Sequence, residues 1–159
     1  MSCALFLSGT VSLTLDDKGR MALPVRYRTL LKEECEGACV LTVSLYDPAL
    51  WLYPATAFRQ VQEELVKLPS FGNRQVRALK RLLLGNACEF RLDAQGRVLI
   101  PKNLRDFAGL NKNLTLVGME NKFEIWDEER YLREQDEDLS LLNDLSALSA
   151  EPAFSHLQL

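Results

Sequence analysis

Two pairs of residues in this chain have the types and spacing for chemistry: Asp16 with Arg20 in DDKGRMALPVRYR (residues 16–28), and Asp93 with Arg97 in DAQGRVLIPKNLR (residues 93–105). In each, a carboxylate precedes a guanidinium by four residues, and a glycine, Gly19 or Gly96, stands just before the arginine. A carboxylate so placed can accept from backbone N–H groups a residue or two on, and glycine supplies the positive φ of a tight turn. Asp16, Gly19, Asp93 and Gly96 are therefore read as turn-formers. A guanidinium has another use, because it can fork onto a phosphate or onto the O6/N7 edge of guanine. Exposed ion pairs contribute too little stability to account for the two arginines, so Arg20 and Arg97 are read as the residues that meet an anionic partner. Lys18 adds a phosphate-binding ammonium to the first turn, where the second has Gln95.

The elements that must position these residues also occur twice. Sliding the chain by 77 positions pairs Asp16 with Asp93, Gly19 with Gly96, Arg20 with Arg97, Pro24 with Pro101 and Arg28 with Arg105. Farther on the offset falls to 73, which predicts a loop four residues shorter in the second copy. Each copy reads as an alternating strand, the Asp-x-x-Gly turn, a second strand opening at the arginine, and a short helix started by the proline. Two more strands follow, CVLTVSLY with ALWLYP in the first copy and NLTLVGM with KFEIW in the second, and then a helix, with Asp127 the expected N-cap of the last. If Arg20 and Arg97 alternate out of phase with Met21, Leu23, Val98 and Ile100, they stand on the wet side of two basic hairpins. A two-stranded ribbon is narrow enough for a major groove.

Half of this chain could hardly bury enough surface to fold by itself. The expectation is a compact barrel or sandwich with pseudo-twofold symmetry made from both copies, rather than two small domains on a linker. Its parts are a first repeat (8–56), connecting helices (57–84), a second repeat (85–128) and an acidic helix or tail (129–159). Within the connecting segment Asn73 caps a helix, and Arg74, Arg77 and Arg81 make a row that is a secondary basic face or simply a solvated one.

Composition excludes several functions. The net charge of −3 argues against a protein that coats nucleic acid, yet residues 1–110 hold 15 Lys and Arg against 11 Asp and Glu, and residues 111–159 hold 4 against 11. A mildly basic body carries an acidic end. Cys3, Cys35, Cys39 and Cys88 are scattered and read as reduced thiols; Cys35 and Cys39 lack the second ligand pair that zinc needs, so no metal or cofactor is expected. The single histidine, His156, has no partner acid, there is no phosphate-binding glycine loop, and carboxylates in wet turns should keep ordinary pKa values. These features predict neither an enzyme nor a small-molecule substrate. Nothing resembles a membrane span or a secretory signal, which points to a soluble intracellular protein.

LDDKGRMALPVRYR, RALKRLLLGNACEFRLDAQGRVLIPKNLR and LTLVGMENKFEIWDEE together resemble the MraZ family, bacterial proteins of the division and cell-wall gene cluster. The likeness runs from about Phe6 into the acidic tail; MSCAL is extra relative to the usual family start. It implies an α+β, β-rich fold, a pseudo-twofold swapped-hairpin β-barrel of two tandem AbrB-like repeats with peripheral helices. It also implies a cytoplasmic, nucleoid-associated, ring-like homo-oligomer. Such a protein controls that cluster by binding short direct repeats in promoter DNA, repression being the expected sense, and the family's functional Asp-x-x-x-Arg segments match Asp16–Arg20 and Asp93–Arg97. A ring engaging successive boxes would offset weak single-site binding through effective concentration. The competing reading is a protein-interaction module, like the antitoxins of the same fold class, acting through the acidic tail. In that tail Leu141, Leu145 and Leu148 have helical spacing, and the segment either docks on a neighbour or stays mobile.

Overall fold

The computed structural model describes residues 6–159; Cys3 and the rest of MSCAL lie outside them. In the first copy the chain forms β1 (Thr10–Thr14), β2 (Arg20–Ala22), α1 (Val25–Cys35), β3 (Ala38–Val43), β4 (Leu50–Pro54) and α2 (Ala55–Lys67). The connecting α3 (Arg74–Gly85) leads to β5 (Cys88–Arg91), β6 (Arg97–Leu99), α4 (Lys102–Ala108), β7 (Asn113–Met119), β8 (Lys122–Asp127) and α5 (Glu128–Leu141). Local signals explain most boundaries. Pro24 and Pro101 stand immediately before α1 and α4, Asn73 Oδ1 accepts the Val76 N–H at 3.0 Å to start α3, and Gly109, at φ 61°, ends α4 in the left-handed region.

The strands do not close a barrel. Six form one antiparallel sheet in the order β1-β7-β8-β4-β3-β5, open at β1 and β5, and β2 pairs with β6 in a separate two-stranded ribbon. The order is palindromic: β1 lies on β7 as β5 lies on β3, with β4 and β8 paired at the centre. Each copy therefore lays its first strand against the other copy's third. The two strands flanking a turn barely pair with each other, sharing only the bridge Leu15–Met21 in copy one. The closed barrel fails because the pairing capacity of β2 and β6 goes to each other, which leaves β1 and β5 as edges.

The shared core follows from period-two alternation. On one face of the sheet Leu41, Leu50, Leu52, Leu116, Phe123 and Ile125 meet Met21, Leu23, Val98 and Ile100 from the ribbon and Tyr27, Leu31, Leu104 and Ala108 from α1 and α4. Complete burial of each such aliphatic side chain is worth about 1.5–3 kcal/mol. On the other face Val40, Trp51 and Tyr53 pack with Phe58 and Leu65 of α2 and Leu83 of α3. Both copies, through Glu128, form a single compact unit.

Three local expectations need correction. The four-residue deficit of copy two is not in one loop: α4 has 7 residues against 11 in α1, a longer link to β7 restores part of the loss, and residues 120–121 close the β7–β8 hairpin where β3–β4 uses 44–49. Asp127 is buried at the end of β8, and its Oδ1 accepts the Asn111 N–H at 3.0 Å, tying down the α4–β7 link. Leu141, Leu145 and Leu148 do not share a helix, since α5 stops at Leu141 and a short α6 spans Ser146–Ser149. Residues 129–159 form a second unit. Among the described residues no helix is long and apolar enough to cross a membrane.

Candidate nucleic-acid interface

The two turns are near-copies at atomic detail. Asp16 Oδ1 accepts the backbone N–H groups of Lys18 at 2.9 Å and Arg20 at 2.8 Å, while Oδ2 accepts Arg20 Nε–H at 2.9 Å. Asp93 does the same with Gln95 at 2.9 Å, Arg97 at 2.8 Å and Arg97 Nε–H at 2.6 Å. Gly19 and Gly96 take φ of 79° and 69°, and each donates its N–H to the carbonyl of its turn's aspartate. A side chain at either φ would cost about 1–2 kcal/mol.

These hydrogen bonds overturn the expectation of ordinary carboxylates. Asp16 is held below its usual pKa first by the Arg20 backbone N–H; desolvation, next in size, opposes this, and the Arg20 side chain and the Lys18 N–H lower it further. Asp93 is lowered in the same way by Arg97 and Gln95. Carboxylates so held stay anionic at neutral pH and act as fixed braces rather than proton carriers.

Each aspartate holds its arginine through Nε, not through the guanidinium's far edge. Arg20 and Arg97 keep 29% and 32% of their side-chain surface exposed, and the two Nη groups of Arg20 have no protein acceptor among the described residues. Arg97 Nη2 donates to Gln95 Oε1 at 3.3 Å. The ion pair therefore aims the arginine without consuming its forked edge.

Where the sequence predicts two hairpins, the structure has one ribbon. Arg20 lies opposite Leu99, Met21 opposite Val98 and Ala22 opposite Arg97. Since Met21 and Val98 are buried, Arg20, Ala22, Arg97 and Leu99 share the outer face. The arginines occupy diagonal positions, which in an antiparallel pair are about 7–8 Å apart. Backbone bonds continue the ribbon into both turns, from Leu23 N–H to Gly96 O at 2.9 Å and from Ile100 N–H to Gly19 O at 2.8 Å.

Of the other sequence-singled residues, Lys18 is exposed on the first turn. Arg74, Arg77 and Arg81 are exposed on α3, which packs on the opposite face of the sheet from the ribbon, so the fold does not bring that row to the turns. Arg77 Nη1 donates to Ser70 O at 2.9 Å. Cys35 Sγ donates to the carbonyls of Leu31 and Ala38, and burial pushes the Cys39 thiol up to about 12, which makes it a poor thiolate.

Two residues were undervalued in the sequence. Arg28 and Arg105, which the sequence shows only as a matched pair of the repeat, each cross to the other copy's turn: a Cβ on Gly96 would collide with the Arg28 stem, and one on Gly19 would stand 3.1 Å from the Arg105 guanidinium carbon. Their matched places in the repeat were the available signal.

A family model described as "MraZ protein, putative antitoxin-like" matches the chain twice, at residues 6–82 and 83–148. The chain belongs to the MraZ family. Transcriptional regulator MraZ of Methylococcus capsulatus is 55% identical over 120 residues, 76% of this chain and 78% of that protein. The protein of the same name from Thioalkalivibrio sulfidiphilus is 50% identical over 129 residues, 81% of this chain and 85% of the relative. That of Yersinia enterocolitica is 43% identical over 150 residues, 94% and 95% of the two chains. These MraZ relatives are named as regulators of transcription and not as enzymes. A non-catalytic role agrees with a surface whose carboxylates are fixed anions.

Proposed function

We propose that this MraZ chain regulates transcription by gripping double-stranded DNA with the outer face of the β2–β6 ribbon. The observation that carries this reading is the pair Arg20 and Arg97, on one face, each held through Nε by a turn aspartate. Preorganised guanidiniums lose little freedom on meeting a phosphate or a guanine edge, and Lys18 adds a point charge beside them. One shared ribbon, with few cations on a chain of net charge −3, binds weakly by itself. Several copies in a ring, each engaging one of a series of direct repeats, multiply that affinity through effective concentration. In this reading specificity comes from repeat spacing as well as base recognition, the protein works on the nucleoid, and the division and cell-wall gene cluster is its target, with repression the expected outcome.

The test is a fluorescence-anisotropy titration over a salt series, using duplexes with one or several spaced repeats. Arg20→Ala should weaken binding and reduce the slope of log K against log salt by about 0.9 for each phosphate that is no longer neutralised. An unchanged slope would remove Arg20 from the interface. A second reading, a protein partner taken by the tail, is favoured by the exposure of Leu139, Leu141 and Leu142 in the second unit. It predicts that removing residues 129–159 abolishes regulation while DNA affinity is kept.

A further inference from the structure

The brace arginines are equivalent by repeat but not by bonding. Arg28, from copy one, lies over Gly96, and its Nε donates to Leu23 O at 2.6 Å. Arg105, from copy two, lies over Gly19, with its Nε 3.2 Å from where a Cβ would stand, yet that Nε is buried with no acceptor among the described residues. A buried charged donor left unmatched is costly, and an acceptor that lets it reorient relieves the cost.

Two more differences at the turns run the same way. Lys18 stands where copy two has the neutral Gln95. Among the described residues Arg20 has both Nη groups unoccupied, whereas Arg97 donates one to Gln95. Unmatched donors thus accumulate around the copy-one turn. The opposing charges there are Asp16, already engaged by Arg20 and two backbone N–H groups, and the exposed Asp17, which is Ala94 in copy two.

We propose that Arg105 is a further DNA-binding residue: with Lys18 and Arg20 it forms a three-cation cradle, built from both copies around the first turn, that holds a backbone phosphate. This rests on the ribbon reading above. A phosphate fits better than a base edge, since Lys18 is a point charge and a phosphate can accept from several donors at once, whereas base recognition needs a planar bidentate match. Arg28, already bonded to protein, braces the second turn without joining a counterpart cradle.

The experiment uses the full chain and a duplex with spaced repeats, reading the salt slope and the melting temperature of each variant. Arg105→Gln should lower affinity severalfold and make the slope shallower by about 0.9 per engaged chain. Arg105→Lys should recover most of the slope, because the charge returns although the planar fork does not. Arg28→Gln should lower the melting temperature and leave the slope unchanged. Asp17→Asn should tighten binding. A folded Arg105→Gln variant with the wild-type slope overturns the cradle, as does an equal loss of slope in folded Arg28→Gln. Should Arg105→Gln fail to fold, Lys18→Gln replaces it as the test, and an unchanged slope there is equally fatal. Failure of the parent reading looks different: Arg20→Ala would keep its slope whatever Arg105→Gln does. If Arg105→Gln shifts only the assembly state, the cation serves another subunit and the proposal falls.

Discussion

The two turns share the aspartate-to-glycine backbone bond and both aspartate-to-amide bonds, and they differ in the side-chain donors around them. Among the described residues, copy one presents Lys18, an Arg20 with both Nη groups unoccupied and an Arg105 with an unmatched Nε; copy two presents Gln95, an Arg97 bonded to it and an Arg28 bonded to Leu23 O. Duplication kept what each hairpin needs in order to fold against the other, since a defect in one turn would disturb the shared ribbon. Side chains beyond that requirement were free to diverge. Symmetry here belongs to the scaffold, and asymmetry to the surface.

The largest test of this contrast lies beneath the ribbon. Leu23 and Ile100 are equivalent and both fully buried, so Leu23→Ala and Ile100→Ala should each cost about 2–5 kcal/mol in urea unfolding. Unequal losses would break the claim of a symmetric scaffold. The turn glycines come next. Gly19→Ala and Gly96→Ala both place a side chain at positive φ, costing about 1–2 kcal/mol. Gly96→Ala should lower the melting temperature further, because the new methyl displaces the Arg28 stem and its bond to Leu23 O, while Gly19→Ala meets mainly the far end of Arg105.

Smaller again is the effect of making the surfaces alike. Gln95→Lys frees Arg97 Nη2 and supplies the missing ammonium, so DNA affinity should rise severalfold and the salt slope should steepen by about 0.9 per engaged chain. A flat response would mean that the second turn does not approach phosphate.

The smallest effect is that of acid. Asp16 and Asp93 have folded-state pKa values below the ordinary 3.8, so their stabilisation is complete at pH values above 3.8 and is lost as pH falls through the lowered values. Unfolding free energy should therefore decline with acidification below about pH 4, through the linkage of protonation to folding. The decline should be weaker in Asp16→Asn and Asp93→Asn, and by similar amounts in the two.

Much of the site was legible in the chain itself. The Asp-x-x-Gly-Arg order predicts a turn followed by a strand, and β2 and β6 begin at Arg20 and Arg97. Alternation correctly sets Met21, Leu23, Val98 and Ile100 inside and the arginines toward solvent. Both are local, carried by neighbours one to four residues apart. The single ribbon was not legible, because a strand pattern says which face is wet but not which strand lies alongside. Nor were the braces: Arg28 and Arg105 look like ordinary helix-surface residues, and only the crossing of the copies brings them over Gly96 and Gly19.

Residue order alone determined that the unit occurs twice, where each turn falls and which side chains face water, since backbone torsions and period-two burial depend on near neighbours. Tertiary structure alone decided that both arginines share one face, that the sheet stays open, and that Arg105 Nε lacks, among the described residues, the acceptor its twin enjoys. Those outcomes depend on partners roughly seventy or more residues away, as in the Leu23–Gly96 and Ile100–Gly19 bonds. Two half-sequences of the same pattern can satisfy such bonds within a copy or between copies, and burying a common core chooses the second.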